Sequence, residues 1–390
     1  MRVIQILFLL LITILSFGQT KIIIPEPYGD NFIESELISE VSFVPLELER
    51  FGMITSDMEM KVDNNDYFIL DNRFTQCVYH FGSEGQLINV ICEQKTESTA
   101  GNLPVLSNPA KFNMNPFLQQ IEIYNFENSI IHRFGYDGTP KGKTAFDINP
   151  SDFVRDSEGY YWVYMGWHKS ESQYRLIKTD QNGNVLERKM RLISNSTPTE
   201  GFAFYLNNDD IYLWELLGNT VYTIHNNEIV PGYLFDFGAH NLPLNYHMMK
   251  GDDSFKYINE VGYYTIKKYL GNDDFAYIFL NYTSNQQREM FHVIHDKKSA
   301  QIFVYTENSA IGALDKAQAI SENNELIFLV APRKVRQLLT GGSEFVPAPF
   351  VDVIDGLGLE RNPVILKIKL NSMSTDVEEV ESEDSLYFDD

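Results

Sequence analysis

The sequence predicts an all-β protein, a six-bladed β-propeller of four-stranded blades that is closed by an N-terminal strand completing the last blade. Three observations lead to this prediction. A polar turn followed by a strand-like run recurs along the chain, a second motif recurs in phase with the first, and one N-terminal strand has no blade of its own. Together they assign residues 41–370 to the propeller.

The first motif is a turn of Asp, Asn, Glu, Gln or Gly that leads at once into an apolar or aromatic run. The copies follow one another at intervals of roughly 40 to 65 residues, near the length of one propeller blade with a variable loop. Each run is therefore predicted to be the second strand of a blade. The six runs are residues 67–70, 121–124, 160–163, 211–214, 275–278 and 326–329.

The second motif is a short apolar stretch that ends in a tight turn, and it follows each of the first five runs. Turns such as Gly82–Gly85 and Gly135–Gly138 contain residues that readily adopt the positive φ of a hairpin connection. We therefore predict that each stretch is the third strand of its blade and turns into the fourth. The sixth blade lacks this turn, and residues 363–370 are its predicted third strand.

The segment 41–48 precedes blade one and is the predicted source of the missing outer strand of blade six. Such a strand would close the ring, because an open last blade leaves an unpaired sheet edge. Pro45 suits an outermost strand, where no partner needs its missing backbone N–H.

The N-terminal residues 1–18 have the features of a signal peptide, with Arg2, an apolar stretch and a small-residue cleavage site before Gln19. Residues 19–40 are predicted to be a lead-in to the propeller. The first cysteine is Cys77, so the apolar stretch is not followed by a lipid-anchor cysteine. We therefore expect a periplasmic or secreted protein with no direct membrane insertion after signal cleavage.

The chain is acidic, with 54 Asp and Glu against 31 Lys and Arg and a formal net charge of -23. This balance argues against nucleic acid as a partner, since phosphate would be repelled. The acidic segment 371–390 is predicted to be disordered, because blocks of like charge resist folding. The alternative is a docking segment that includes residues 386–388.

The two cysteines, Cys77 and Cys92, lie on the two arms of the first predicted hairpin, and an oxidising compartment would permit a disulfide. If Phe81 pairs with Gln86, the thiols share one face diagonally and lie beyond easy bonding distance. A shift of two residues would place them opposite each other. The sequence leaves both a structural disulfide and two buried free thiols open.

Several motifs of the chain are typical of one family, and they are Val44–Glu47, Tyr67–Asp71, Phe81–Gly85, Asn219–Gly238 and Asn362–Leu366. On these motifs the chain resembles the six-bladed β-propeller family of bacterial cell-envelope proteins, relatives of the NHL-repeat propellers. The resemblance implies an envelope propeller and carries over no catalytic residues. Similar proteins often have a Gly-x-Gly-Pro-Gly-x-Tyr segment after blade one, whereas this chain has Glu93–Leu106 there.

Long loops are predicted on the face of the ring where the second strand of a blade turns into the third and where blades are joined, and we expect the binding site there. One of them is the insertion 333–361 in blade six, which could fold over the channel mouth as a lid. The candidate ligand-binding residues are Asp71, Arg73, Trp167, His168, Tyr174, Glu215, Tyr282, Arg333 and Arg336.

Two groups of these candidates have a specific chemical rationale. Trp167 and His168, with Tyr174 nearby, could stack on a sugar ring or an aromatic ligand, and the alternative is that they pack on their own blade. Arg333 and Arg336 could hold a carboxylate or a phosphate through forked hydrogen bonds, and the alternative is that they are solvated.

We expect a non-catalytic envelope propeller without a cofactor that binds a glycan, a peptide or a protein partner at its loop-rich face. The first alternative is a metal-dependent lyase or lactone hydrolase, which would need three or four ligands converging on the central channel. The inner strands look mostly apolar, and the eight histidines show no zinc-like spacing. The second alternative is a structural scaffold without a ligand pocket.

Overall fold

The computed structural model describes most of the predicted propeller. The described residues are 20–24, 37–47, 54–91, 109–166, 173–192, 204–242, 249, 251–285, 287–306, 311–312, 314–331, 333–334 and 363–372. The predicted signal peptide, residues 335–361 of the blade-six insertion and the tail beyond residue 372 lie outside them. Within the described ranges, no helix has the length and apolar character needed to cross a membrane.

Blades one to three are four-stranded sheets whose antiparallel strands follow one another along the chain. Blade one contains β3 (Glu59–Asp63), β4 (Asp66–Asp71), β5 (Cys77–Phe81) and β6 (Leu87–Ile91). Blade two contains β7 (Pro109–Asn115), β8 (Gln120–Asn125), β9 (Ile130–Gly135) and β10 (Pro140–Ala145). Blade three contains β11 (Asp152–Arg155), β12 (Tyr161–Tyr164), β13 (Tyr174–Thr179) and β14 (Val185–Arg191).

Blades four to six complete the ring, and two of them include strands from the N-terminal segment. Blade four contains β15 (Phe204–Asn207), β16 (Asp210–Trp214), β17 (Thr220–His225), β18 (Glu228–Asp236) and the N-terminal β1 (Thr20–Ile23). A 3-10 helix (Gly238–His240) and α1 (Gly251–Val261) lead to blade five, with β19 (Tyr263–Gly271), β20 (Phe275–Thr283), β21 (Arg288–Asp296) and β22 (Gln301–Tyr305). Blade six contains β23 (Ala319–Ile320), β24 (Glu325–Val330), β25 (Val364–Leu370) and the N-terminal β2 (Ile38–Pro45).

The predicted fold class is confirmed. All six predicted second strands fall on the second strands of the blades, β4, β8, β12, β16, β20 and β24. The predicted third strands fall on β5, β9, β13, β17, β21 and β25.

The polar turns that mark the repeats shape the hairpins directly. Asn64 and Asn65 have φ of 48° and 67° between β3 and β4, and Asn226 and Asn227 have the same values between β17 and β18. Two consecutive positive φ angles match the turn that suits the twist of a two-residue hairpin. Asparagine tolerates this conformation better than most residues, so these turns fix the strand register.

The hydrophobic core is distributed among the junctions between blades. Among the described residues, each pair of neighbouring blades has its own buried cluster of aliphatic and aromatic side chains. Trp214 and Tyr269, for example, pack between blades four and five with ring centroids 6.3 Å apart. Since one face of a blade is covered only by the next blade, burial of these side chains depends on a closed ring.

The ring is closed by β2, which pairs with β25 in antiparallel fashion and places Phe43 opposite Leu366. The end of this strand also contacts blade one, where the backbone N–H of Glu47 donates to the Gly85 carbonyl at 2.9 Å. Gly85 has φ +84°, and a Cβ there would lie 1.9 Å from the Pro45 carbonyl oxygen. Only glycine fits this turn, and the predicted closure by the N-terminal segment is confirmed.

A second N-terminal strand, β1, was not predicted from the sequence, which assigned residues 19–40 to a lead-in. It adds a fifth strand to blade four and runs parallel to β18, with Ile22 beside Phe235. Lys21 forms an ion pair with Asp236 at 2.7 Å, and the Ile24 N–H donates to the Asp236 carbonyl at 3.0 Å. The N-terminal segment thus contacts blade four through β1 and blade six through β2.

The hairpin that carries Cys77 has a register different from the simplest one. Phe81 pairs with Leu87, and a bulge at this point shifts the pairing so that Val78 faces Ile91. Cys77 is disulfide-bonded, and Cys92, the other cysteine of the chain, lies just outside the described residues.

Removal of β2 should destabilise the whole ring, because blade six loses its outer strand and its junction with blade one opens. We expect a chain starting at residue 50 to melt well below the full protein in one cooperative transition. A chain starting at residue 36 lacks only β1 and serves as the control, with a smaller decrease. Equal melting temperatures of the two truncated chains, measured by circular dichroism, would contradict the closing role of β2.

A disulfide between Cys77 and Cys92 should stabilise blade one by closing a short loop. We expect reduction to lower the free energy of unfolding by about 3 kcal/mol, the effect typical of a loop of about 15 residues. Denaturant titration with and without reductant measures this effect, and mass spectrometry of a non-reduced digest identifies the linked peptides. The variant Cys77→Ala should not respond to reductant. Detection of both free thiols in the native protein would exclude the bond.

Candidate functional site

The loop-rich face is the side of the ring on which second strands turn into third strands and each blade leads to the next. Its described loops include residues 72–76 in blade one, 126–129 in blade two and the connection 146–151 from blade two to blade three. Most of the candidates from the sequence lie at or near the ends of the strands that border this face. Their surroundings differ, and several of them serve the fold.

Asp71 shapes the turn between β4 and β5. Its Oδ1 accepts the backbone N–H groups of Arg73 and Phe74 at 3.0 and 2.9 Å, and Oδ2 accepts the N–H and the hydroxyl of Thr75 at 2.8 and 2.7 Å. Burial opposes ionisation of Asp71, but these hydrogen bonds, led by that from Phe74, lower its pKa below the usual value. The carboxylate therefore has a structural role in this loop.

Arg73 is exposed on the same loop, with its Nη1 2.7 Å from Oδ2 of Asp57. The pKa of Asp57 is lowered, first by the hydrogen bond from the Thr55 hydroxyl and also by the charge of Arg73. Both partners of this pair face solvent, where such pairs contribute little to stability. Arg73 remains accessible to a ligand at the loop-rich face.

Glu215 lies directly after β16 and is buried between blades three and four. Its carboxylate forms an ion pair with Arg175 of β13 and accepts a hydrogen bond from the Tyr164 hydroxyl at 2.7 Å. A buried carboxylate is tolerated when it is both paired and hydrogen-bonded. Glu215 of blade four is thus connected to Arg175 and Tyr164 of blade three.

Tyr282 is also buried, although it was predicted to contact a ligand. It lies at the end of β20, where its ring packs at 5.1 Å from Tyr264 and 5.0 Å from His240. A Cβ on Gly262 would lie 2.1 Å from the Tyr282 hydroxyl, so the backbone approaches this ring closely. These contacts position the connection between blades four and five.

Two of the remaining candidates, Tyr174 and Arg333, lie within the described residues. Tyr174 begins β13 and is half-buried, and Arg333 is exposed beyond blade six. Trp167, His168 and Arg336 lie outside the described residues, as does most of the predicted lid 333–361. The predicted group of Trp167, His168 and Tyr174 stays a prediction.

A cleft that the sequence did not predict opens on the loop-rich face between blades two and three. It has a volume of about 390 Å³ and is formed by the β8–β9 loop and the β10–β11 connection. The Phe146 N–H donates to the Ser129 carbonyl at 2.9 Å, which holds the two loops together. The residues that line the cleft are Glu127, Asn128, Ser129, Phe146, Asp147, Ile148 and Asn149.

The side chains around the cleft combine polar and apolar groups. Glu127, Asn128 and Asp147 are exposed, whereas Phe146 forms an apolar base. The side-chain Oδ1 of Asn149 accepts hydrogen bonds from the hydroxyls of Tyr124 and Ser129, which fixes the orientation of this amide. The cleft therefore offers carboxylate and amide groups above an apolar surface.

Two exposed phenylalanines occupy equivalent loops of adjacent blades. Phe74 in blade one is 59% exposed, and Phe126, beside the cleft in blade two, is 51% exposed. Large apolar side chains at exposed positions are common, but a pair at the loop-rich face adds apolar surface next to polar groups. Phe126 continues the apolar character of the cleft into solvent.

Two histidines of the described blades make contacts within the fold. His292 is buried in blade five and hydrogen-bonded to the Tyr277 hydroxyl at 3.0 Å, and burial lowers its pKa to about 3. His80 lies 2.8 Å from Asp66 within blade one. In the part of the chain that the structure describes, no group of three or more His, Cys, Asp or Glu is arranged to hold a metal ion.

The fold and this face define a six-bladed β-propeller with a ligand-sized cleft between two blades. The family model described as a domain of unknown function, DUF4934, matches residues 22–369. The chain therefore belongs to the DUF4934 family. The predicted relationship to bacterial envelope propellers is confirmed at this level, and the closer likeness to NHL-repeat propellers stays a prediction.

Two solved structures show the same fold. A crystal structure of a "Putative exported protein" from Bacteroides fragilis is 17% identical, has a TM-score of 0.71 and aligns over 91% of this chain and 100% of its own. A member of the duf4221 family from Bacteroides vulgatus is 13% identical, with a TM-score of 0.50 and coverage of 87% and 99%. No curated protein matches the sequence.

Replacement of Glu215 by alanine should reveal its structural role. We expect Glu215→Ala to lower the free energy of unfolding by about 3 to 5 kcal/mol, because Arg175 would remain as a buried charge. The exposed pair provides the control, and Arg73→Ala should cost less than about 1 kcal/mol. Denaturant unfolding measures both values, and equal costs would contradict the assignment of Glu215 to the blade junction.

Proposed function

We propose that this chain is a non-catalytic binding propeller of the bacterial cell envelope and that its ligand is a glycan. The ligand occupies the cleft between blades two and three. The observation that carries this proposal is a cleft of about 390 Å³ that combines carboxylate and amide groups with an apolar base, next to the exposed aromatic ring of Phe126. A cleft of this volume falls within the range of small-molecule sites.

The chemistry of the cleft suits a sugar better than an apolar ligand. Glu127 and Asp147 supply acceptors for hydroxyl groups, and the amide of Asn128 supplies both donors and an acceptor. An exposed aromatic ring such as Phe126 can stack on the apolar face of a sugar ring. Specificity would then come from the hydrogen bonds and affinity in part from the apolar contact.

An extracytoplasmic location supports the same proposal. Residues 1–18 have the pattern of a signal peptide, and the structural relative from Bacteroides fragilis is described as exported. Disulfide bonding of Cys77 also suits an oxidising compartment. We therefore propose that the protein acts in the periplasm or outside the cell, where envelope and environmental glycans are present.

A metal-dependent lyase or hydrolase would instead need carboxylates or histidines converging on the central channel. The innermost strands place lysines there, including Lys61 and Lys268, and such side chains repel a divalent cation. The geometry thus favours binding over metal-dependent catalysis. Stoichiometric divalent metal in the purified protein, with a melting temperature that falls on chelation, would instead favour metal-dependent catalysis over binding.

Glycan binding should depend on Phe126 and Asp147. We expect Phe126→Ala and Asp147→Ala each to weaken binding of the best glycan from an array by roughly tenfold, the effect of one lost stacking or polar contact. Titration calorimetry measures the affinity, and the melting temperature should change little because both side chains are exposed. Phe74→Ala is the matched control and should bind normally.

The double variant Trp167→Ala with His168→Ala tests whether the glycan binds in the cleft or at the group of Trp167, His168 and Tyr174 that the sequence predicts. Loss of glycan binding in that variant, with unchanged binding by the Phe126 and Asp147 variants, would move the site to blade three. An array without hits, together with capture of a peptide or a protein at the loop-rich face, would contradict the glycan ligand.

A further inference from the structure

The central channel is surrounded by the first strands of the six blades. Each of these strands contacts the next, from β3 through β7, β11, β15, β19 and β23, and β23 contacts β3 again. Side chains at the channel therefore come from different blades. Three of the innermost strands carry lysines, Lys61 on β3, Lys111 on β7 and Lys268 on β19, and Lys316 lies shortly before β23.

Lys61, Lys111 and Lys316 all act electrostatically on Lys268, so the four side chains lie near one another. Blades two and five are opposite each other in a six-membered ring, so Lys111 and Lys268 lie on facing walls. Lys61 and Lys316 belong to blades one and six, which lie between them. Groups from all four blades can be close together only at the axis.

The lysines also share a similar depth in the channel. Lys61 lies two residues before the end of β3, Lys268 three residues before the end of β19, and Lys111 and Lys316 four residues before the ends of β7 and β23. A difference of two residues in a strand corresponds to about 7 Å. The ammonium groups can therefore converge on one ligand, given the length and flexibility of lysine side chains.

Acidic groups also lie near these lysines, and in the described part of the chain they include Glu59 and Asp315. Glu59 on β3 forms an ion pair with Lys61 at 3.3 Å, and both side chains are largely buried. Lys268 is only 6% exposed. Burial, together with the charges of Lys61, Lys316 and Lys111, lowers the pKa of Lys268 to about 7, and Glu59 opposes that shift.

The pKa of Lys316 is lowered as well, mainly by burial, with contributions from Lys111 and Lys61, whereas the charges of Glu59 and Asp315 oppose the shift. Lys267, the neighbour of Lys268, shows the same direction for the same first reason, with contributions from Arg288 and Lys316. The protonated lysines thus repel one another electrostatically in the central channel. Repulsion of this kind costs stability, and Glu59 and Asp315 offset part of it.

We propose that the central channel is a binding site for a multivalent oxyanion group, a sulfate or a phosphate, held by Lys61, Lys111, Lys268 and Lys316. The acidic composition of the protein makes this cluster conspicuous, since the chain has a formal net charge of -23. Charge-assisted hydrogen bonds from ammonium groups to oxyanion oxygens are short and strong. The site is separate from the cleft between blades two and three and does not depend on the proposed glycan ligand.

Binding of sulfate to the channel tests the proposal. Calorimetry with sodium sulfate, in a background of chloride at constant ionic strength, should detect one site per chain. We expect Lys111→Met with Lys316→Met to weaken binding by about tenfold or more, since two charge-assisted contacts are lost. Lys256→Met is the control, because Lys256 is exposed on α1, 3.9 Å from Glu260, and it should bind as the unmodified protein does.

The source of the oxyanion is distinguished by comparing inorganic sulfate with glucose 6-sulfate and glucose. Tighter binding of the sulfated sugar would identify a group carried on a larger molecule, and equal or weaker binding would identify the free ion. Failure of both sulfate compounds to bind would overturn the channel site. Equal affinities in the double variant and the control variant would overturn it as well.

Lys268→Met provides an independent measurement by melting temperature. Without sulfate, the unfolded chain keeps Lys268 protonated up to the ordinary pKa of 10.5, whereas the folded protein releases the proton at about 7. The free energy of unfolding of the unmodified protein should therefore rise with pH between about 7 and 10.5. This rise should be absent in Lys268→Met.

Sulfate should reduce the difference in melting temperature between Lys268→Met and the unmodified protein, because it stabilises the protonated lysine in the folded state. Since sulfate also stabilises proteins generally, the comparison is made between the two proteins at each pH. We expect Lys268→Met to melt higher than the unmodified protein at pH 6 without sulfate and the difference to shrink or reverse with sulfate. The same difference with and without sulfate would contradict the proposal.

Discussion

The pairing of β2 with β25 is the interaction on which the rest of the structure depends. Every blade junction buries a hydrophobic cluster, and the junction between blades six and one is complete only when β2 is in place. A propeller has no other covering for the faces of its sheets, so one open junction exposes apolar surface on two blades. The contact between Pro45 and Gly85 then joins the end of the closing strand to blade one.

The turns between third and fourth strands help to set the spacing of the blades. Gly85 of blade one faces the end of β2, and Gly183 of blade three faces the end of β10, where a Cβ would lie 2.2 Å from the Ala145 carbonyl oxygen. Both glycines have a positive φ, 84° at Gly85 and 88° at Gly183. A glycine turn thus packs against the outer strand of the preceding blade both at the closing junction and at the junction between blades two and three.

Most of the fold could be predicted because its signal is local and repeated. Polar turns followed by apolar runs, such as Asn64 and Asn65 before Tyr67, are readable without knowledge of distant contacts. Strand β1 was missed because four residues that pair in parallel with a distant strand carry no such signal. The bulge beside Phe81 was missed for a related reason, since a one-residue register shift leaves the alternation of the sequence unchanged.

The candidate site was less predictable, because it depends on which loops and strands become neighbours. Glu215 and Tyr282 look like accessible polar residues in the sequence, but adjacent blades bury them. The channel lysines are far apart in the sequence, and only the circular order of the innermost strands places Lys111 and Lys268 on opposite blades. The cleft beside Phe126 likewise needs two loops that are separated along the chain.

The two N-terminal strands also have a consequence for the order of events during synthesis. β1 and β2 leave the ribosome before any blade exists, yet their partners belong to blades four and six, with Ser39 bonded to a residue 330 positions later. Both strands must therefore wait while nearly the whole chain is made, and contacts of such sequence separation form slowly. Until β1 and β2 pair with them, the edges of β18 and β25 are open to other chains, which makes these two strands the elements that decide between closure and aggregation.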